Sequence, residues 1–214
     1  MVKALTKPQI TEFFSILQKD NPEPKGELNF TNPYTMLVAV ALSAQATDKG
    51  VNKATQSLFK IVSTPQDMIN LGLDNLIKHI KSIGLYNAKA KNIMAAAHML
   101  VDEFDGKVPQ SRDELVRLAG VGRKTANVVL NLAFGQPTIA VDTHIFRLSN
   151  RSGLAIGKNV DIVEKKLEKN IPKEYLLHSH HWLILHGRYV CKARKPLCNE
   201  CKISHICNFD AKES

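Results

Sequence analysis

Cys191, Cys198, Cys201 and Cys207 are the chain's only cysteines, and they sit in one short segment. Their spacing, C-x6-C-x2-C-x5-C, lets four sulfurs wrap a single centre. Four thiolates are the usual complement of a tetrahedral zinc or an iron–sulfur cluster. Zinc sites more often use two short C-x2-4-C knuckles, and only Cys198 and Cys201 form one here, so spacing leaves both metals open. Two disulfides are a third reading. The chain opens Met1-Val2-Lys3-Ala4-Leu5-Thr6-Lys7-Pro8, without an apolar signal core, and a cytosolic chain keeps its thiols reduced. Between the first two cysteines lies Lys192-Ala193-Arg194-Lys195-Pro196-Leu197, a basic loop with a metal ligand at each end. A metal that shapes a cationic loop points to a nucleic-acid surface.

A second constellation is Leu118-Ala119-Gly120-Val121-Gly122-Arg123-Lys124-Thr125-Ala126. A helix started by Ser111-Arg112-Asp113-Glu114, which reads as a capping box, runs into Gly-Val-Gly, and another helix follows at once. The two glycines allow a tight reversal with positive φ. The amides of Gly120, Val121 and Gly122, with the second helix's N-terminus, then form an anion site. An ordinary hairpin turn is the plain alternative. Arg123 and Lys124, however, fall in a first turn, where the macrodipole disfavours cations, and a local rule broken twice in succession points to function. Arg123 can answer a phosphate. The same field disfavours an ammonium at Lys124 and would free its amine as a nucleophile, although a merely solvated lysine is the plainer reading of this motif alone.

A carboxylate partner can be placed by chain length. The helix from Lys124 to Phe134 runs about 16 Å before Gly135 and Pro137 stop it. The stretch from Gly135 to Asp142 spans at most ~26 Å, so it can carry Asp142 back to the mouth where Lys124 sits. Asp142 also precedes the helical pattern Thr143-His144-Ile145-Phe146-Arg147-Leu148, so its plainer role is an N-cap.

The elements that must position these residues are helical. Phe13, Phe14, Ile16 and Leu17 form an apolar stripe after Thr6 and Pro8, a cap and a first-turn proline. The run from Pro33 to Ala44 is apolar all round and reads as a buried helix. Asp48 is expected to cap the next helix, and Thr64-Pro65-Gln66-Asp67 starts another. Asn87 to Phe104 and Lys173 to Val190 are expected to be the two longest helices. Thr138 to Val141 is β-like but too short and isolated to seed a sheet. Only the tip after Phe209 is expected to be weakly structured. The expected fold is all-α, with a metal-stapled tail and two lobes enclosing a cleft. The composition, 44% hydrophobic and 23% charged, is ordinary for a globular protein. A formal charge of +9 favours an anionic partner. Lys78 to Lys91, with four lysines, one histidine and no carboxylate, concentrates that charge.

Gly-Val-Gly-Arg-Lys-Thr-Ala, Val141-Asp142-Thr143-His144 and the four-cysteine tail, in this order, resemble the bacterial endonuclease III family of helix-hairpin-helix DNA glycosylases. Leu42-Ser43-Ala44-Gln45-Ala46-Thr47-Asp48, Ile83-Gly84-Leu85-Tyr86-Asn87-Ala88-Lys89-Ala90 and the segment from His180 to Arg188 match that family too, so the likeness covers nearly the whole chain. It implies a [4Fe–4S] cluster on the four cysteines. It also implies a six-helix barrel domain over 26–136, with the helix-hairpin-helix at about 111–134, and a cluster domain from 1–25 and 137–214. The catalytic lysine and aspartate fall on Lys124 and Asp142. Gln45 and Leu85 become the side chains that fill the hole left by a flipped base, one polar and one an apolar wedge. For Leu85 the plain alternative is core packing. Lys192, Arg194 and Lys195 would meet phosphates.

The activity so implied is a bifunctional glycosylase and abasic-site lyase that removes damaged, chiefly oxidised, pyrimidines through a lysine Schiff base. Its partner is double-stranded DNA carrying damaged bases or abasic sites. The protein is expected to be a monomer away from any membrane, in a bacterial cytoplasm with the nucleoid. One departure is Ala119, where the family usually carries proline; it should loosen the hairpin slightly and leave the amides untouched. Two rivals remain: a monofunctional mismatch adenine glycosylase, against which Lys124 speaks, and a non-catalytic DNA-binding module with structural zinc.

Overall fold

The computed structural model describes residues 2–210, so the tip beyond Asp210 lies outside the described residues. Among these the regular structure is entirely helical. In chain order the helices are α1 (Lys7–Asp20), α2 (Pro33–Ser43), α3 (Asp48–Leu58), α4 (Pro65–Leu71), α5 (Leu73–Ile80) and α6 (Tyr86–Phe104). They continue as α7 (Arg112–Leu115), α8 (Arg123–Phe134), α9 (Thr143–Ser152), α10 (Val160–Asn170) and α11 (Lys173–Tyr189), with a 3-10 turn at Cys198–Glu200. No described helix is long and apolar enough to cross a membrane.

Local signals explain most helix starts. The Gln9 side chain accepts from the Thr6 amide at 2.9 Å ahead of α1. Asn32 accepts from the Thr35 amide at 2.9 Å ahead of α2, and Thr64 from the Asp67 amide at 3.1 Å ahead of α4. Before α3 the expectation needs correcting. Thr47 is the cap, its hydroxyl accepting from the Gly50 amide at 3.1 Å, and Asp48 is the first helical residue. There its charge still complements the helix dipole.

The chain divides into two compact units, 26–136 and 1–25 with 137–214. In the first, α2 is the buried axis: Met36, Leu37, Val38, Ala39, Val40 and Leu42 are all buried, as its unbroken apolar run requires. Helices α3, α6 and α8 pack on it, and α6 in turn carries α4 and α5. Leu42 is fully buried, so truncating it to alanine should cost about 2–5 kcal/mol. α7 is a single turn that leads into the hairpin.

The second unit draws on both chain ends. Phe14 stacks on Tyr175 with ring centroids 5.9 Å apart, and Trp182 donates its indole N–H to the Asn21 carbonyl at 2.7 Å. The Leu5 amide donates to the Gly153 carbonyl at 2.9 Å, and Asn208 donates to the Lys3 carbonyl at 2.8 Å. Residues 138–141 form no strand; Ile139 and Val141 are buried in this unit's core.

Candidate active site and metal centre

The hairpin begins at Ser111, whose hydroxyl donates to the Glu114 carboxylate at 2.5 Å and accepts from the Glu114 amide at 3.3 Å. Arg112 Nε donates to Asn127 Oδ1 at 2.7 Å and ties α7 to α8. Only one of the two turn glycines takes a positive φ. Gly120 has φ 77°, and a Cβ there would come within 2.9 Å of the Asn92 side chain. Gly122 has φ −89° and is the N-cap of α8. A Cβ on Gly122 would meet nothing within 4 Å, so neither backbone shape nor packing requires glycine at that position. A bare backbone that the fold itself does not need leaves room for a ligand to approach.

Val121 is corrected more sharply. Its side chain is buried, and its amide donates to the Leu118 carbonyl at 3.1 Å, so it offers no N–H to an anion. The first intrahelical bond of α8 runs from the Ala126 amide to the Gly122 carbonyl at 2.9 Å. The Lys124 and Thr125 amides therefore precede the helical ladder and point out of its positive end. Arg123 and Lys124 are both exposed in this first turn.

Asp142 is the N-cap of α9, and Oδ1 accepts from the Ile145 amide at 2.8 Å. Capping fixes the orientation of the carboxylate and occupies one lone-pair direction of one oxygen.

Gln45 and Leu85 share an uncommon backbone. Their φ values are 56° and 58°, in the left-handed region that side chains other than glycine and asparagine rarely enter. Leu85 is 64% exposed, which sets aside core packing. Gln45 is exposed as well. Each stands at a helix end, Gln45 just past α2 and Leu85 as the N-cap of α6. Lys89, counted above in the basic cluster, is buried instead, and so does not belong to the charged surface.

The four cysteines are free thiols and line one cavity, together with Leu148, His186 and Ile203 among others. Burial first, and then the neighbouring Cys207, Cys191 and Cys198, push the Cys201 thiol up to about 11. Four thiolates crowded in an apolar pocket repel one another unless a cation joins them. Among the described residues no group of three or more His, Cys, Asp or Glu side chains is arranged to hold a metal ion. Four soft sulfurs line this shared void, with His186 Nε2 3.5 Å from Cys201 Sγ, a donor set that suits zinc or an iron–sulfur cluster.

The basic loop is held by two residues that sequence reasoning missed. Arg147 Nε donates to the Cys191 carbonyl at 3.0 Å, and its Nη2 donates to the Gly187 carbonyl at 2.5 Å. One turn on, Arg151 donates to the Lys192 and Ala193 carbonyls at 2.6 and 2.9 Å, while its guanidinium lies 5.0 Å from the Phe209 ring centroid. Their i, i+4 spacing on α9 was visible, but which carbonyls they would meet was not. Lys192, Arg194 and Lys195 remain exposed on the loop so clamped, with Lys195 at φ 49°.

Comparison with known proteins matches residues 38–173 to the HhH-GPD superfamily of base excision DNA repair proteins. The chain is 54% identical over 208 residues to endonuclease III of Haemophilus influenzae, covering 97% of this chain and 99% of that one. Against endonuclease III of Escherichia coli K12 the identity is 53% with the same coverage. Among solved structures, a trapped endonuclease III–DNA covalent intermediate superposes with a TM-score of 0.88 at 50% identity, over 95% of this chain and 96% of that one. A thermostable thymine-DNA glycosylase at 24% identity shares the fold, with a TM-score of 0.84.

Proposed function

The chain belongs to the endonuclease III family of HhH-GPD base excision repair proteins, and on that premise we propose how its own residues perform the family's chemistry. It is a DNA-binding glycosylase and abasic-site lyase. The observation that carries the residue assignment is Lys124 in the exposed first turn of α8, beside a glycine that the fold does not require.

The substrate is duplex DNA with a damaged pyrimidine or an abasic site. The flipped nucleotide's phosphates rest on the amides at the N-terminal end of α8 and on Arg123. The Lys124 amine attacks the sugar's anomeric carbon as the glycosidic bond breaks, and the base leaves with the electron pair and takes up a proton. Asp142 stabilises cationic character on the sugar and assists proton transfers, using the carboxylate oxygen that the cap leaves open. The sugar ring then opens, the C1′–O4′ bond breaking as O4′ takes up a proton, and the iminium so formed between C1′ and Lys124 acidifies the adjacent carbon. Loss of that proton expels the 3′ phosphate oxygen, and water then frees Lys124. Gln45 bonds the orphaned base, and Leu85 wedges into the stack. Both assignments are supported by exposed side chains on left-handed turns.

The 26–136 unit is read as the barrel domain and the 1–25 and 137–214 unit as the cluster domain. Cys191, Cys198, Cys201 and Cys207 are suited to hold a [4Fe–4S] cluster, which when bound would cross-link the segment as a structural staple. The chain's own arginines, Arg147 and Arg151, set the path of the Lys192 to Lys195 loop against phosphates. The protein acts as a monomer on chromosomal DNA in a bacterial cytoplasm.

Borohydride reduction during reaction with duplex DNA carrying an oxidised pyrimidine tests this reading. A covalent protein–DNA adduct that maps to Lys124 is expected; an adduct at another amine would overturn the assignment.

A further inference from the structure

Lys89 is 8% exposed, and among the described residues its ammonium meets carbonyls and no carboxylate. Its Nζ donates to the Leu42 carbonyl at 2.9 Å and the Ala44 carbonyl at 2.5 Å. These are carbonyls at the C-terminal end of α2, where the helical ladder has run out and the macrodipole is negative. The chain leaves the helix at Ala44 with ψ 116° and turns left-handed at Gln45. Lys89 therefore satisfies the carbonyls on the near side of the turn that presents Gln45.

The same residue is tied to the second turn. Its backbone amide donates to the Leu85 carbonyl at 3.1 Å, the first bond of the α6 ladder. The two turns also abut: a Cβ on Gly84 would come 4.0 Å from the Gln45 carbonyl oxygen. Burying a lysine costs free energy, and desolvation lowers its pKa from 10.5. Each left-handed residue adds backbone strain. An apolar side chain would fill the space without that cost but would leave both carbonyls bare and the two turns unlinked.

We propose that Lys89 is a positioning residue for base extrusion, locking the turn that presents Gln45 to the turn that presents Leu85 so that both enter the duplex as one unit. The proposal rests on the reading of Gln45 and Leu85 as the hole-filling pair. Displacing a reacting or inserting group by about 1 Å can cost on the order of 100-fold in rate.

The test compares Lys89→Met with Gln45→Ala and Leu85→Ala on two substrates. One is a duplex with a single oxidised pyrimidine, which requires extrusion. The other is a single-stranded abasic oligonucleotide, which has no stacked base to remove and no hole to fill. Lys89→Met should lower single-turnover excision from the duplex on the order of 100-fold and leave single-strand cleavage within about two-fold. Adding Leu85→Ala to Lys89→Met should cost much less than Leu85→Ala alone, because the wedge is already misplaced. Lys89→Arg, which keeps the donors, should recover part of the duplex rate, and it carries the comparison if the methionine variant does not fold. Equal losses on both substrates would make Lys89 a general support of the fold and overturn the proposal. Normal duplex excision by Lys89→Met, with Gln45→Ala and Leu85→Ala impaired, would overturn the proposal alone. Normal excision by Gln45→Ala and Leu85→Ala would sink the hole-filling reading itself.

Discussion

The Asp142 carboxylate accepts a hydrogen bond from the Ile145 amide at 2.8 Å, so the side chain proposed to steady charge on the sugar also starts α9. The two roles separate under substitution. Asparagine caps a helix about as well as aspartate, so Asp142→Asn should leave the melting temperature unchanged while excision falls about 100-fold or more. Asp142→Ala should lose activity and about 1 kcal/mol of stability as well. Paired melting and single-turnover measurements read both effects. Full activity in the asparagine variant would reduce Asp142 to a cap.

Lys124→Gln removes the proposed nucleophile and keeps a polar side chain of similar reach. Strand cleavage and the borohydride-trapped adduct should vanish, while affinity for lesion-bearing duplex stays within a few-fold, since the amides at the N-terminal end of α8 and Arg123 are unchanged. Gel-shift binding and trapping assays on one preparation check this. Trapping at the wild-type level would assign the chemistry to another amine.

Lys192→Ala combined with Lys195→Ala should weaken binding to damaged and undamaged duplex alike. The slope of log affinity against log salt should flatten by up to roughly two, about 0.9 for each lost phosphate contact. Visible absorbance should persist, because no cysteine changes. A loss confined to lesions, with the slope intact, would show that the loop reads damage instead of phosphate.

The purified protein should be yellow-brown, and Cys198→Ala should bleach it and weaken duplex binding. Arg147 and Arg151 would still hold the loop's carbonyls, so some affinity should remain. Iron analysis beside a binding titration decides the matter; a colourless wild-type protein carrying zinc would favour the tetrahedral reading.

His181 should make the protein acid-sensitive. Burial first, and then the charge of His178, lower its pKa from 6.5 to about 4. Between those values the unfolded chain binds more protons than the folded one. The stability it permits is complete above pH 6.5 and is lost as pH falls toward 4, by at most about 3 kcal/mol. His181→Leu should flatten the fall in melting temperature across that window. An unchanged pH profile would move the acid sensitivity elsewhere.

The sequence alone determined what depends on neighbours three or four residues away. Thr6, Thr64 and Ser111 mark helix starts because a cap needs only its own first turn, and Gly135 stops α8 with φ 64° for the same local reason. Arg123 and Lys124 could be placed in a first turn, and Asp142 at a cap, by the same arithmetic. The all-α class followed from period and composition. Tertiary structure decided everything that depends on distant partners or on which face is covered. It buried Lys89 under α2 although its sequence neighbours are basic, and it spent the Val121 amide inside the hairpin. Of the two turn glycines it gave a positive φ to Gly120, where Asn92 would also crowd a Cβ, and left Gly122 extended with nothing near. It chose carbonyls more than thirty residues away for Arg147 and Arg151. It also turned Leu85 outward on a left-handed backbone, 64% exposed, while Ile93, Ala97 and Leu100 of α6 are buried, because which leucine a core covers depends on partners distant in the chain.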